Sequence, residues 1–408
     1  MELLLHKYGQ NGLCLYAAKE GRLDVLQWAR MNECLWDATM GSFAVANGHL
    51  HILQWAYEND CPLVFNITDH AATHGQLDIL KWLLNNDFPF SNQTFCLAAK
   101  NGHLNILKWG YTHSINRPWN TSVCSCAAFG GHLHILKWLR EIHCPWDAWT
   151  CTSAVACGQF DILKWAHENG CPWDHYTCAR AAERGNFEIL KYCRENGCPW
   201  TAGTCSNAAM NGNFEILKYC WENKCPWNEE TCSSAAKSGN LDILQYCRAN
   251  GCPWDGQTCT NAATQGHFNI LQWAHENGCP WDVTTCEGAA YGGYLNILQY
   301  ARNNNCPWDD LTICLKATCE GHFHIVRWIL QHETKLLEKY YIQLNNYFND
   351  YCWHFSHELK HINSCRWLKE KYKIDFGEQL EKIFNELDSI LLNALYIPDL
   401  VDLINLYI

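Results

Sequence analysis

Apolar and polar positions follow one pattern that returns along most of the chain. A glycine followed by an apolar x-L/F-x-I/V-L stretch recurs at Gly21, Gly48, Gly75, Gly102, Gly131, Gly158, Gly185, Gly212, Gly239, Gly266, Gly293 and Gly321. The steps are 27 residues, apart from one of 29 (Gly102 to Gly131) and one of 28 (Gly293 to Gly321). Twelve copies fill about residues 9–332. A sustained period of this length is the mark of a solenoid, in which one copy cannot bury its apolar face alone. One copy reads CPWDHYTCARAAERGNFEILKYCREN, Cys171 to Asn196.

Each copy predicts two short helices. The first starts after CPWD, at a column formed by Asp37, Val64, Ser91, Asn120, Asp147, Asp174, Thr201, Asn228, Asp255, Asp282 and Asp309. All but Val64 carry a short side-chain oxygen that accepts the free N–H groups of a first helical turn. The second follows the repeat glycine. In NFEILKYCREN, Phe187, Ile189, Leu190, Tyr192 and Cys193 fall at helical spacing. Gly170, Gly197, Gly251 and Gly278 stand where a helix ends in a left-handed residue. A proline two positions on, Pro62 through Pro307 in this column, blocks further helix.

These residues resemble a family. The stretch T-C-x-x-A-A-x-x-G-H-L-x-I-L-x-W-A-x-x-x-G is similar to the ankyrin repeat's T-P-L-H-x-A-A-x-x-G-H-x-x-V-V-x-L-L-L-x-x-G-A. From the glycine onward the match is position for position: Ile162, Leu163, Trp165 and Ala166 lie where the family has V, V, L and L, and Gly170-Cys171 where it has Gly-Ala. Cys151, Cys178 and Cys205 take the place of the family's buried leucine. The likeness covers about four fifths of the chain. Each copy is about six residues shorter than the 33-residue ankyrin norm, and the loss falls between Gly170 and Thr177, where ankyrins carry a β-hairpin finger. Short CPW-type repeats look like those of ankyrin proteins encoded by giant DNA viruses of amoebae. The resemblance implies a viral protein whose job is to bind other proteins.

The composition is unusual, with 27 cysteines and 21 tryptophans. Nine cysteines sit in the CPW column, among them Cys144, Cys171 and Cys198, and nine in the first-helix column, among them Cys124, Cys151 and Cys178. Cysteines in one column lie one repeat apart, roughly 9 to 10 Å by helix packing, whereas a disulfide needs Cα atoms within about 7 Å. A ladder of bridges is excluded. No C-x2-C pair occurs, and the C-x4-C pairs Cys193/Cys198, Cys220/Cys225 and Cys247/Cys252 lack partners at ligand spacing, so no metal site is expected. Cys193, Cys220 and Cys247 share a column with Ala29, Ala56, Ala166, Ala274 and Ala301. Cysteine there reads as a small buried apolar residue, which implies a reducing compartment. The two aromatic columns, Trp28 to Trp328 and Trp36 to Trp308, repeat in the same way and predict buried structural rings. His49, His103, His132, His267 and His322, each after a repeat glycine, read as structural.

Charge narrows the partners. The chain has 408 residues, 48% of them hydrophobic, and a formal net charge of −12 from 30 basic and 42 acidic residues. That argues against nucleic acid, which needs a concentrated basic face. No apolar run reaches the roughly 18 to 20 residues of a membrane span, and the first residues are too polar for a signal peptide. A cytoplasmic protein is expected (the host cytoplasm, or the virion, if the source is viral). No phosphate-binding loop, nucleophile elbow or H-E-x-x-H helix occurs, so no enzyme and no cofactor is expected.

Specificity should then lie where the copies differ. With the first-helix Cys and Ala facing inward, about 100° per residue turns two positions outward: Trp149/Ser153, Tyr176/Arg180, Gly203/Asn207, Glu230/Ser234, Gln257/Asn261 and Thr284/Gly288. The ankyrin resemblance places this stripe on the concave, ligand-facing side. The expected partner-binding residues are Trp149, Tyr176, Arg180, Asn207, Glu230, Gln257 and Asn261. Trp, Tyr and Arg dominate binding hot spots.

Residues 333–408 leave the repeat. His361 to Lys373 resembles one more degenerate second helix, 378–396 reads as an amphipathic helix, and the tail IPDLVDLINLYI faintly resembles F-box and suppressor-of-cytokine-signalling box segments. The predicted organisation is an N-terminal cap segment (1–8), an all-α ankyrin-like helical-hairpin solenoid of about twelve repeats without long β-hairpin fingers (9–332), and a C-terminal helical cap (333–408). The expected function is that of a monomeric module binding a protein partner, such as a host protein. The alternatives are a self-associating structural or virion assembly component and a ubiquitin-ligase substrate adaptor acting through the tail.

Overall fold

The computed structural model describes residues 2–113 and 119–332. The degenerate repeat at 361–373, the helix at 378–396 and the adaptor-like tail lie outside the described residues. Among the described residues there are 24 α-helices, mostly nine residues long, and no strand. Helices alternate between the two kinds the repeat predicts, so each copy is a helical hairpin. The chain divides into two compact units, residues 1–204 and 205–408. Within each, successive first helices pack side by side and each first helix packs on the second helix of its own hairpin.

One hairpin shows how the sequence builds the rest. Asp174 is extended (φ −140°), and its carboxylate accepts from the Tyr176 N–H, which starts the helix His175–Glu183. Gly185 turns the chain at φ 71°. Asn186 then caps the helix Phe187–Glu195 by accepting from the Ile189 N–H. Cys178, Ala181 and Ala182 from the first helix meet Ile189, Leu190 and Cys193 from the second, all fully buried. Burying one such Ile or Leu contributes about 1.5–3 kcal/mol, so a nine-residue helix that would be marginal alone is held by packing. At the far end the Cys198 N–H donates to the Cys193 carbonyl (2.8 Å) and the Gly197 N–H to that of Arg194 (3.1 Å). This pair of bonds is a Schellman motif, with Gly197 left-handed at φ 82°.

The start column behaves as its chemistry dictates. Asp37, Ser91, Asn120, Asp147, Asp255, Asp282 and Asp309 each accept from the N–H two residues on. Val64 cannot, and its helix begins late and is short, Ile67–Thr73. Asn228 has the capping conformation but makes no cap bond, and its Oδ1 is buried without a partner. At the chain start, the helix Glu2–Glu20 is interrupted by Gly9 (φ 70°, ψ 174°).

The repeat histidines tie neighbouring hairpins together. The rings of His49, His103, His132 and His267 donate to the carbonyls of Lys19, Thr73, Lys100 and Lys237 at 3.0–3.3 Å, capping the preceding copy's first helix. The ring lies so close to the preceding repeat glycine that a Cβ there would meet it, at 2.7 Å for Gly21 and His49. The CPW thiols make a second tie. Cys171, Cys198, Cys252, Cys279 and Cys306 donate to carbonyls of the preceding copy's start column, Asp147, Asp174, Asn228, Asp255 and Asp282, at 3.3–3.4 Å.

The indoles differ from expectation. The tryptophans of both columns are half-buried, not enclosed. Most CPW rings stand edge-on to the ring of the next second helix, as in Trp146–Trp165 (5.9 Å, 66°) and Trp254–Trp273 (5.8 Å, 66°). The other face is covered from the preceding second helix by Arg30, Arg140, Arg194 and Arg248, at 3.9–4.2 Å from the ring centroids of Trp36, Trp146, Trp200 and Trp254. His167 and His275 stack on Trp173 and Trp281 at 3.6 and 3.7 Å, and Trp221 on Trp227 at 4.0 Å. Arg194 also donates to the Cys198 carbonyl at 2.7 Å, and Arg30, Arg140 and Arg248 do the same at Cys34, Cys144 and Cys252. Edge-to-face rings and cation–π contacts each contribute about 0.5–1.5 kcal/mol.

Candidate functional site: an exposed first-helix stripe and three thiol triads

The first-helix stripe divides into two kinds of position. The residue before the buried threonine is exposed in five of the six copies: Trp149 and Tyr176 retain 57% and 55% of their surface, and Glu230, Gln257 and Thr284 are exposed as well, while Gly203 is half-buried. The residue four further on is not outward in the same sense. Ser153, Arg180, Asn207 and Asn261 are half-buried, and Ser234 and Gly288 are buried, against the expectation that both positions face solvent. The cause is the packing of neighbouring first helices. Asn261 donates to the Ser233 carbonyl of the preceding copy (3.1 Å) and accepts from Gln257 (2.8 Å). A Cβ on Gly288 would sit 2.4 Å from Thr264 Oγ1.

Two consecutive first helices therefore present an aromatic surface. The Trp149 and Tyr176 rings are near-parallel (15°) with centroids 6.2 Å apart, and His175 lies 4.2 Å from Tyr176. Asp147 and Asp174, one capping each helix, hold the backbone N–H groups of Trp149 and Tyr176 and so fix where the rings leave the helix. One turn on, Arg180 is bound by Glu183 through both carboxylate oxygens, at 2.7 and 2.9 Å. In the second unit the corresponding exposed positions carry Glu230 and Gln257, with Asn207 and Asn261 half-buried beside the packed helices.

The second arrangement was missed by spacing. Three C-x4-C pairs acquire a third thiol from the first helix of their own hairpin, giving Cys178/Cys193/Cys198, Cys205/Cys220/Cys225 and Cys232/Cys247/Cys252. All nine residues are buried, and within each triad the sulfur atoms lie within 4.8 Å of one another. The Schellman turn explains the pairs, because it brings its last residue onto the helical residue five before it, here Cys198 onto Cys193. The inward column of the first helix then supplies Cys178. A search for C-x2-C spacing cannot find this constellation; aligning the copies by their period would have.

Within a triad, one thiol is favoured to ionise. The neighbouring thiols donate hydrogen bonds to Cys178, Cys205 and Cys232 and hold each below the usual cysteine value, while burial opposes this. Their neighbours Cys193, Cys225 and Cys252 are pushed up by the same thiol contacts, with burial adding to the rise. At Cys14, Cys61 and Cys314 burial is the main cause instead, lifting Cys14 to about 11 and Cys61 and Cys314 to about 12.

The outer helix faces carry ion pairs at Asp78–Lys81 and Glu215–Lys218, both 3.0 Å. Lys191 approaches Glu195 (3.9 Å), and Lys164 lies over the Phe160 ring (3.9 Å). Such exposed pairs contribute a few tenths of a kcal/mol. Among the described residues, no helix is long and apolar enough to cross a membrane.

No protein-family model matches the chain, and no curated protein does. Among solved structures it is similar to the human ASB11 ankyrin repeat domain, with a TM-score of 0.32 and 18% sequence identity over 39% of this chain and 84% of that one.

Proposed function

We propose that the chain is a protein-binding module whose first-helix face, centred on Trp149, Tyr176 and Arg180, contacts a protein partner. One observation carries this reading. Large rings of about 150–250 Å² are left more than half exposed on adjacent helices while every core column around them is filled. Exposed rings oriented by their own helix caps offer contact area at low entropic cost. Arg180, already oriented by Glu183, supplies a planar donor beside them. In the second unit, Asn207, Glu230, Gln257 and Asn261 occupy the equivalent positions and offer a partner polar groups there.

The test is site-specific crosslinking in the cell of origin. A photoreactive residue at Tyr176 should capture one defined partner protein, a probe at the outer-face Lys191 should not, and Trp149→Ala combined with Arg180→Ala should reduce capture at least tenfold without changing helix content. Equal capture from both probes would contradict the reading. Capture of only a second copy of this chain would replace it with the self-associating scaffold.

A further inference from the structure

The three triads fall in consecutive copies, and only there does the second-helix column carry cysteine. In five other copies the same place holds Ala29, Ala56, Ala166, Ala274 or Ala301, all fully buried, and in the remaining copies Leu83, Gly110, Leu139 or Ile329. Alanine thus suffices for packing, so the third sulfur adds donor chemistry that the core does not need. We propose that each triad is a three-sulfur site for one copper(I) ion.

The donor set selects the ion. Each cluster consists of thiols alone, with no imidazole or carboxylate, which suits a soft ion. A structural zinc takes four ligands, and here the fourth would be water carried among the fully buried Ile189, Leu190 and their counterparts. Copper(I) accepts three sulfurs. An ion about 2.3 Å from three sulfurs in a plane sets them about 4 Å apart, inside the 4.8 Å limit of each triad. Binding displaces thiol protons to solvent and leaves the copper in its +1 state. Arg194 and Arg248, whose guanidinium groups bond the carbonyls of Cys198 and Cys252, place positive charge beside two of the three sites.

The experiment uses the full chain, reduced and kept anaerobic, titrated with copper(I) against a bathocuproine-type chelator. The wild type should withhold three copper equivalents per chain and develop near-ultraviolet thiolate-to-copper absorption. Cys193→Ala, Cys220→Ala and Cys247→Ala together should remove those three equivalents. The two-thiol pairs that remain should bind at least tenfold more weakly. Because alanine is native to this column, the triple variant should keep its helix content. Should it fail to fold, Cys193→Ala alone should lower the number from three to two. Unchanged stoichiometry in either variant, or complete loss of copper from the wild type to the chelator, would overturn the proposal. So would retention of zinc(II) at the triads under conditions where copper(I) is lost.

Discussion

At the scale of single residues, the left-handed position closing each second helix is the clearest case. Gly170, Gly197, Gly251 and Gly278 adopt φ 80–82° with nothing within 4 Å of a would-be Cβ, so glycine is there for its backbone alone. Glu33, Asp60, Asp87, His143, Lys224 and Asn305 hold the same position at φ 57–63°. The cysteine-proline pair that follows most of them was legible, and it fixes the turn whether or not glycine precedes it. What the sequence did not show is that the fold would force a lysine or histidine into that conformation. Lys224→Gly should therefore raise stability by about 1 kcal/mol, the cost of a left-handed side chain less the added freedom of the unfolded chain. Urea unfolding would check it, with a lower midpoint for the variant as the contrary result.

At the scale of elements, helix identity was readable because three signals agreed at each copy: a capping side chain, a 3.6-residue apolar stripe and a glycine-proline stop. Where one signal is missing the element changes with it, as the late start of Ile67–Thr73 behind Val64 shows. Val64→Asp should give residue 64 the cap bond that Asp174 makes, stabilise the first unit by about 1 kcal/mol and protect the Asn66 amide from hydrogen exchange. Exchange at Asn66 as fast as in the wild type would show that the late start has another cause. Two features were not legible at this scale. The column Arg30, Tyr57, Leu84, Tyr111, Arg140, His167, Arg194, Trp221, Arg248, His275, Arg302 looks variable, yet several of its members cover the preceding face of a CPW indole. The shared property is a flat or cationic surface, which hydrophobicity patterns do not register. The stripe was overcounted for a related reason. A helical wheel places Ser234 and Gly288 outward from their own helix but says nothing of the neighbouring helix that buries them.

At the scale of the molecule, twelve copies with one core recipe leave stability to repeated small contacts: Ile and Leu from second helices, Ala pairs from first helices, thiols between them, and His and Cys hydrogen bonds tying one copy to the next. The period alone disclosed this, because no single copy could bury its apolar face. The thiol triads escaped because they depend on which copies carry a cysteine in three columns at once, a property of the alignment of copies and not of any motif within one. The account rests on those thiols being sealed inside stacked hairpins, and alkylation mapped by mass spectrometry tests it most directly. In the native, metal-free protein, Cys157, which is exposed, should be alkylated within minutes, while Cys151, Cys178, Cys193, Cys232 and Cys259 stay unmodified until denaturant is added. Labelling of those buried positions at the rate of Cys157 would contradict the stacked-hairpin account.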